Sequence, residues 1–132
     1  MPSISSDVRA LRLASLITAA NVLIASGFAV AGLLYPRAIL PPGYLPTDAS
    51  FVFALYAAAR AVPLALIALV AIYKRSASAL IVLGVLAGAI QIADTTIGVF
   101  QNDPGKIFGP LFIAGLQFYA VFALGKSVQS AI

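Results

Sequence analysis

The chain has 132 residues, of which 62% are hydrophobic and 9% are charged, and its mean hydropathy is +1.07. A soluble domain carries about 25% charged residues, and a domain of this length has too little interior to hide so many apolar side chains from water. The composition therefore predicts a protein that lies in lipid. The chain also has no Cys and no His, which excludes disulfides, thiolate nucleophiles, Ser-His-Asp triads and His- or Cys-bound metals. We expect neither a metal nor a cofactor.

Four apolar runs are long enough to cross a bilayer as helices, which takes about 20 residues each. A membrane-spanning segment must satisfy its backbone polar groups internally, so runs of this length favour helix over strand. Suitable N-caps precede three of the runs at Thr47 or Asp48, at Ser76, and at Asp103, which Pro104 follows. The runs cover about 11–35, 50–73, 77–100 and 106–125. We therefore predict an all-α fold that forms a single integral membrane domain over residues 1–132.

The first run resembles a secretory signal, because basic residues precede it and Ala29-Val30-Ala31 has the small residues of a cleavage site. The run is nevertheless longer than the usual apolar core of a signal peptide. We therefore expect it to remain in the protein as the first span.

Charge is distributed unevenly between the two ends that four spans would define. One end would carry both termini and a single acidic residue, Asp7, together with five basic residues, Arg9, Arg12, Lys74, Arg75 and Lys126. The other end would carry two basic residues, Arg37 and Lys106, and two acidic residues, Asp48 and Asp103. The positive-inside rule then predicts cytoplasmic termini, in the inner membrane of the cell. The pI of about 9.8 thus reflects topology, and the basic, aromatic-interleaved face that binds nucleic acid is absent from the sequence. We expect membrane lipid as a partner and no nucleic acid.

The connections between the runs differ in length. Short connections at 74–76 and 101–105 predict that spans two, three and four are antiparallel neighbours in an up-down four-helix bundle. The longer connection at 36–46 has four prolines, which predicts that it contains no helix. This connection is either a plain linker in the headgroup region or a lid over a cavity that faces outward.

Two ionisable residues lie where the hydrocarbon core of the bilayer should be. Arg60 lies roughly 21 Å from the Lys74 end of its helix, and Asp94 roughly 28 Å from the Arg75 end of the next. A charge at mid-bilayer costs at least about 2.5 kcal/mol, so each residue is a candidate functional residue. Side chains tilt toward the N-terminus of their own helix, which brings these two toward each other. We expect an ion pair between Arg60 and Asp94.

Further polar residues share helix faces with this pair or lie at matching depths. Tyr56 is one turn from Arg60, and Gln91 is three residues from Asp94. Asn21 and Gln117 each lie roughly 13 Å from the cytoplasmic side, where they could hydrogen bond between the first and fourth spans. The third span also has a stripe of small and polar residues, typical of a close helix contact, which consists of Gly84, Gly88, Gln91, Thr95 and Gly98.

These polar residues have two compatible interpretations. In the first, Arg60 and Asp94 fix the helix register as a buried ion pair. In the second, the polar residues line a pocket that binds the polar end of an otherwise apolar molecule. The candidate catalytic residues are Asp94 and Tyr56, and the candidate ligand-binding residues are Arg60, Gln91, Thr95, Asn21 and Gln117.

The second and third spans carry Tyr56-Ala-Ala-Ala-Arg60-Ala-Val-Pro-Leu-Ala and Gln91-Ile-Ala-Asp94. With these residues, the chain resembles the DoxX-like group of small four-span membrane proteins over about residues 10–125. The resemblance implies an association with membrane-bound redox complexes. In architecture alone, a four-span bundle with an internal carboxylate is also similar to membrane enzymes of the sterol-isomerase type.

Three functional classes are open. The first is a protein that binds a lipophilic molecule such as a quinone, an isoprenoid or a sterol-like ligand. Its enzymatic form would use Asp94 as acid or base and Tyr56 as hydrogen-bond donor in an isomerisation or cyclisation. The second is a proton-coupled or ion-conducting transporter, which would need a homo-oligomer assembled through the glycine stripe. The third is an accessory or scaffold subunit of a larger membrane complex. We favour the first class, and whether the protein is an enzyme stays open.

Overall fold

The computed structural model describes residues 4–130. This range contains five helices and no strand: α1 Ile4–Leu34, α2 Pro36–Ile39, α3 Asp48–Tyr73, α4 Ala77–Phe100 and α5 Pro104–Gln129. Four of them, α1, α3, α4 and α5, are long and apolar enough to cross a membrane. The prediction of an all-α chain with four candidate spans is therefore confirmed for the described residues. The first three and last two residues of the predicted domain lie outside them.

The helices begin at the capping residues that the sequence indicates. Thr47 caps α3 in a reciprocal capping box with Ser50, and the Ser76 hydroxyl accepts a hydrogen bond from the Ala79 N–H. The Asp103 carboxylate caps α5 by accepting from the N–H groups of Gly105 and Lys106 at 3.0 and 3.3 Å. These side chains satisfy backbone donors that the first turn of a helix leaves without partners.

The connection between α1 and α3 contains one helical turn, α2, so the prediction that it contains no helix is wrong. Pro36 is the first residue of α2, a position where the missing proline N–H removes no helical hydrogen bond. The Leu40 N–H closes the turn on the Pro36 carbonyl at 3.0 Å. Beyond Pro41, Gly43 adopts a φ of 87°, which a residue with a side chain rarely does.

Helix α1 is the centre of the packing, because it contacts α3, α4 and α5. The most extensive helix contact joins α4 and α5, whereas α3 packs chiefly on α1 and meets α4 at few positions. The expectation that spans two and three are neighbours therefore holds mainly where the short turn joins them. Both buried apolar clusters lie on the side of the molecule toward this turn. One contains Ala14, Ala71, Leu80, Ala120 and Leu124, and the other contains Val22, Ala65, Ala68 and Ala87.

We name the two ends of the molecule by what they carry. The termini end carries the start of α1, the end of α5 and the turn at Lys74–Ser76. The loop end carries α2 and the turn at Gln101–Asp103. At the termini end, the Ser127 hydroxyl donates to the Asp7 carboxylate at 2.6 Å, which ties α5 to α1.

The glycine stripe of α4 packs against α5. A Cβ on Gly84 would lie 2.5 Å from Val121 Cγ2, and one on Gly88 would lie 2.8 Å from the Phe118 ring. A Cβ on Gly98 would collide with the backbone of Lys106. These glycines are buried, so the stripe makes a close contact inside the chain and is not free to form the oligomer interface considered above.

The outside of the long helices is apolar. Large side chains there are more than half exposed, among them Leu16, Tyr73, Val82, Phe100 and Phe112. A continuous apolar surface of this extent is stable in lipid and not in water. Together with the four long helices, it is the surface of an integral membrane protein.

Candidate ligand-binding cavity

A cavity of about 1080 Å³ lies toward the loop end, between α1, α3, α4 and α5. Small residues at helical spacing leave this space open, because they turn one face of their helix toward it. They are Ala25, Ala29 and Gly32 on α1 and Ala54, Ala57 and Ala61 on α3. The volume lies just above the usual range of small-molecule sites, about 300–1,000 Å³.

The walls of the cavity are mainly apolar. Larger lining residues include Phe28, Phe53, Leu64, Leu86, Ile90 and Ile113. Polar side chains appear at a few places only, which is the usual composition of a small-molecule site. Such a site suits a molecule that is mostly hydrocarbon and has one polar region.

A chain of buried polar side chains closes the cavity toward the termini end. Asn21 donates from Nδ2 to Gln117 Oε1 at 3.0 Å, Gln91 donates from Nε2 to Asn21 Oδ1 at 2.7 Å, and Gln117 donates from Nε2 to Thr18 Oγ1 at 2.9 Å. All four residues are at most 3% exposed. The predicted hydrogen bond between Asn21 and Gln117 is confirmed, and Gln91 and Thr18 extend it. We call these four residues the amide chain.

The amide chain and the residues beyond it separate the cavity from the termini end. In the described part of the chain, every buried side-chain nitrogen and oxygen has a hydrogen-bond partner. Beyond the amide chain, the cluster of Ala14, Leu80 and Leu124 is apolar and tightly buried. The cavity therefore has a closed base.

Arg60 and Asp94 both line the cavity, but the structure does not form the expected ion pair between them. Within residues 4–130, the only salt bridge joins Lys106 to Asp103. The Arg60 guanidinium carbon lies 5.9 Å from the centre of the Tyr56 ring, in a cation–π contact between residues one turn apart. Arg60 is thus an exposed residue at the edge of the cavity, whereas Asp94 is half-buried.

Three of the predicted site residues do not line the cavity. Tyr56 is 58% exposed on the outside of α3, because the face it shares with Arg60 is turned partly toward lipid. The Thr95 hydroxyl donates to the Gln91 carbonyl of its own helix at 2.9 Å. Gln117 lies behind Asn21 in the amide chain. The predicted residues that do line the cavity are Asn21, Arg60, Gln91 and Asp94.

Lys106 closes the loop end and was not among the predicted site residues. Its Nζ donates to the Ile39 carbonyl at 2.9 Å and to Gln101 Oε1 at 2.8 Å, and lies 3.5 Å from an Asp103 carboxylate oxygen. Lys106 and its three partners, Ile39, Gln101 and Asp103, all line the cavity. The three-residue spacing from Asp103 indicated the salt bridge, but no sequence signal pointed to Ile39. We call these contacts the Lys106 bridge, which ties α2 to the turn between α4 and α5.

The side of the cavity between α3 and α4 is the least closed. These helices meet near the termini end, where Ala71 packs with Leu80 and Ala68 with Ala87. Over their whole length α3 and α4 contact each other at few positions, and both line the cavity.

The chemistry available in the cavity is limited. In the described chain, no group of three His, Cys, Asp or Glu residues comes together as a metal site would require. Of the two lining carboxylates, Asp103 is used by the α5 cap and the Lys106 bridge. Asp94 is the one placed for proton transfer or for binding a polar group.

No protein-family model, curated protein or solved structure matches the chain.

Proposed function

We propose that this protein binds a lipophilic small molecule in the cavity, with the polar end of the molecule beside Arg60 and Asp94. The observation that carries the proposal is the cavity itself: apolar walls around about 1080 Å³, with Arg60 and Asp94 in the same lining. Arg60 is exposed and Asp94 is half-buried, and a charge without a partner is costly at the depth of the hydrocarbon core. A ligand with a polar group would compensate both residues, since they do not compensate each other.

The membrane arrangement that goes with this function is an up-down bundle of four spans with cytoplasmic termini in the inner membrane. The cluster formed by Ala14, Ala71, Leu80 and Ala120 supports it, because it joins residues near the start of α1 and α4 to residues near the end of α3 and α5. The basic residues at the termini end support the orientation. The cavity would then lie in the outer half of the bilayer.

An enzymatic form of this function would use Asp94 as the acid or base of an isomerisation or cyclisation. Tyr56 is a poor second group for this chemistry, since its ring is more than half exposed outside the cavity. Arg60 is better placed as an electrostatic partner for a developing negative charge. Binding without turnover needs only the cavity and is therefore the simpler form of the proposal.

A transporter is less favoured. The amide chain and the apolar cluster beyond it close the cavity toward the termini end, and the glycine stripe is already packed on α5. A role as accessory subunit of a membrane redox complex, which the DoxX-like resemblance implies, stays a prediction. Such a subunit could also carry the proposed ligand.

The test is native mass spectrometry of the protein purified in mild detergent, with extraction and identification of bound small molecules. We expect the wild type to retain a defined lipophilic compound, and the variants Arg60→Ala and Asp94→Asn to lose most of it. Asp48→Asn is the matched control, because Asp48 is an exposed carboxylate at the start of α3 and does not line the cavity.

An empty wild type would contradict the proposal, and so would equal retention by all four proteins. If the Arg60 and Asp94 variants instead lost stability with no change in bound compound, these residues would be structural. The search would then turn to protein partners recovered in mild detergent.

A further inference from the structure

We infer that the ligand is electrically neutral and that its head group both donates and accepts hydrogen bonds, as a hydroxyl group does. This inference rests on the proposed function and names the chemical class of the ligand. It is drawn from the charges that line the cavity and from the bonds they already make.

The charges that line the cavity balance. The described lining contains two cations, Arg60 and Lys106, and two carboxylates, Asp94 and Asp103. Lys106 and Asp103 lie 3.5 Å apart and also bind the Ile39 carbonyl, the Gln101 side chain and the α5 N-terminus. The loop-end charges are therefore engaged in closing the cavity, and no surplus charge remains there for an ionic head group.

The two remaining charged groups have opposite hydrogen-bonding roles. The guanidinium of Arg60 can only donate hydrogen bonds, and the carboxylate of Asp94, when it is ionised, can only accept them. A head group between them must therefore offer an acceptor to Arg60 and a donor to Asp94. An anionic head would be repelled by Asp94, and a cationic head by Arg60. A hydroxyl offers both roles in one atom without a net charge.

The rest of the cavity agrees with a ligand that comes from the bilayer. The Lys106 bridge covers the loop end, the amide chain closes the base, and the open side lies between α3 and α4. A neutral amphiphile dissolved in lipid has its hydrocarbon chain at the depth of this opening. Apolar side chains such as Phe28, Phe53 and Ile90 would contact that chain.

The test compares probes that share one hydrocarbon chain and differ in the head group: hexadecanol, hexadecyl methyl ether, palmitate and hexadecylammonium. Dissociation constants are measured by native mass spectrometry titration of the wild type in detergent. We expect hexadecanol to bind about tenfold or more tightly than the ether, which lacks the donor for Asp94. We expect palmitate and hexadecylammonium to bind more weakly than hexadecanol.

Variants of Asp94 and Arg60 test whether these two residues cause the preference for hexadecanol over the ether. In Asp94→Leu, hexadecanol and the ether should bind with nearly equal affinity, whereas the Asp48→Asn control should keep the tenfold difference. Arg60→Met should weaken both probes, because each has an oxygen that accepts from Arg60. If a variant fails to fold, the comparison of the four head groups on the wild type still tests whether the site prefers a neutral hydroxyl.

Two results separate this inference from the function on which it rests. Binding of palmitate, hexadecylammonium or the ether as tightly as hexadecanol would overturn the inference and leave the lipophilic cavity site in place. If none of the four probes binds the wild type more than it binds a variant with a filled cavity, Ala57→Leu, both the inference and the proposed function fail.

Discussion

The side-chain amide of Asn21 in α1 donates a hydrogen bond to Gln117 in α5 at 3.0 Å, across 96 positions of the chain. The same Asn21 side chain accepts from Gln91 of α4 at 2.7 Å. A single residue of α1 thus holds two other spans. Because lipid cannot replace these bonds, their loss leaves polar atoms without partners inside the molecule.

Asn21→Leu should therefore destabilise the protein. It removes two hydrogen bonds and leaves donor and acceptor atoms of Gln91 and Gln117 unsatisfied, which costs about 1–3 kcal/mol of unfolding free energy. Thermal or SDS-induced unfolding in detergent measures the loss. Ser26→Ala is the matched control on the same helix, because the Ser26 hydroxyl bonds only to the Leu23 carbonyl one turn away. Equal stability of the two variants would contradict a structural role of the amide chain.

Substitution of glycine by alanine in the stripe of α4 should lower the unfolding free energy by an amount that depends on what the new methyl group contacts. At Gly98 it would meet the backbone of Lys106, which cannot move alone, and we expect a loss of about 1–3 kcal/mol. At Gly88 it would meet the Phe118 ring, which is partly exposed and can shift, so the loss should be smaller.

The control for this series is Gly115→Ala, since a methyl group there meets nothing within 4 Å. This variant should be as stable as the wild type, or more so, because alanine favours helix over glycine. The same unfolding measurement ranks the three variants. A Gly98→Ala protein as stable as Gly115→Ala would contradict the close packing of α4 on α5.

Lys106→Met should release α2 from the turn between α4 and α5. The variant keeps an unbranched apolar stem but loses the bonds to the Ile39 carbonyl and Gln101. A loss of about 1–2 kcal/mol in local stability raises the opened fraction roughly 5–30-fold. Hydrogen exchange of the backbone amides at 37–47 measures this opening. Lys126→Met is the control, because Lys126 lies over the Phe122 ring at the termini end, and it should leave this exchange unchanged.

Filling the cavity should remove the ligand and keep the fold. Both residues are exposed, but Ala57 lines the cavity, whereas Ala59, two residues away on α3, does not. Ala57→Leu should therefore lose bound lipophilic compound with little change in unfolding temperature. Ala59→Leu adds the same side chain toward lipid and should retain the compound. Retention by Ala57→Leu would place the ligand elsewhere on the molecule.

The four long helices and their caps could be predicted from the sequence, because the length of an apolar run and the residue before it are local properties. Ser76 and Asp103 cap their helices as predicted. The hydrogen bond between Asn21 and Gln117 was also predictable from axial depth, since two amides at one level of a bundle have few other partners. Helix α2 was missed because the four prolines of 36–46 were taken to exclude a helix there, although proline is well tolerated in the first turn of a helix.

The sequence did not indicate which direction around its helix axis each polar side chain faces. Arg60 and Asp94 were expected at similar depths, yet they form no ion pair, and the Arg60 guanidinium lies over the Tyr56 ring. Tyr56 was assigned to the pocket by its spacing from Arg60, but a wide helix face can include both cavity and lipid. The Lys106 bridge depends on Ile39, 67 positions away, and such a contact has no signature in the local sequence.

The amide chain has a consequence for biosynthesis. Thr18 and Asn21 lie on α1, and the partners of their side chains lie on α4 and α5, which the ribosome makes later. At about 5–20 residues per second, the ribosome needs roughly 5–20 s to travel from Asn21 to Gln117. During that interval the Asn21 side chain lacks its partner on α5. The amide chain is therefore completed only after α5 has been made, and a nascent chain that stops before Gln117 leaves the Asn21 donor without this acceptor.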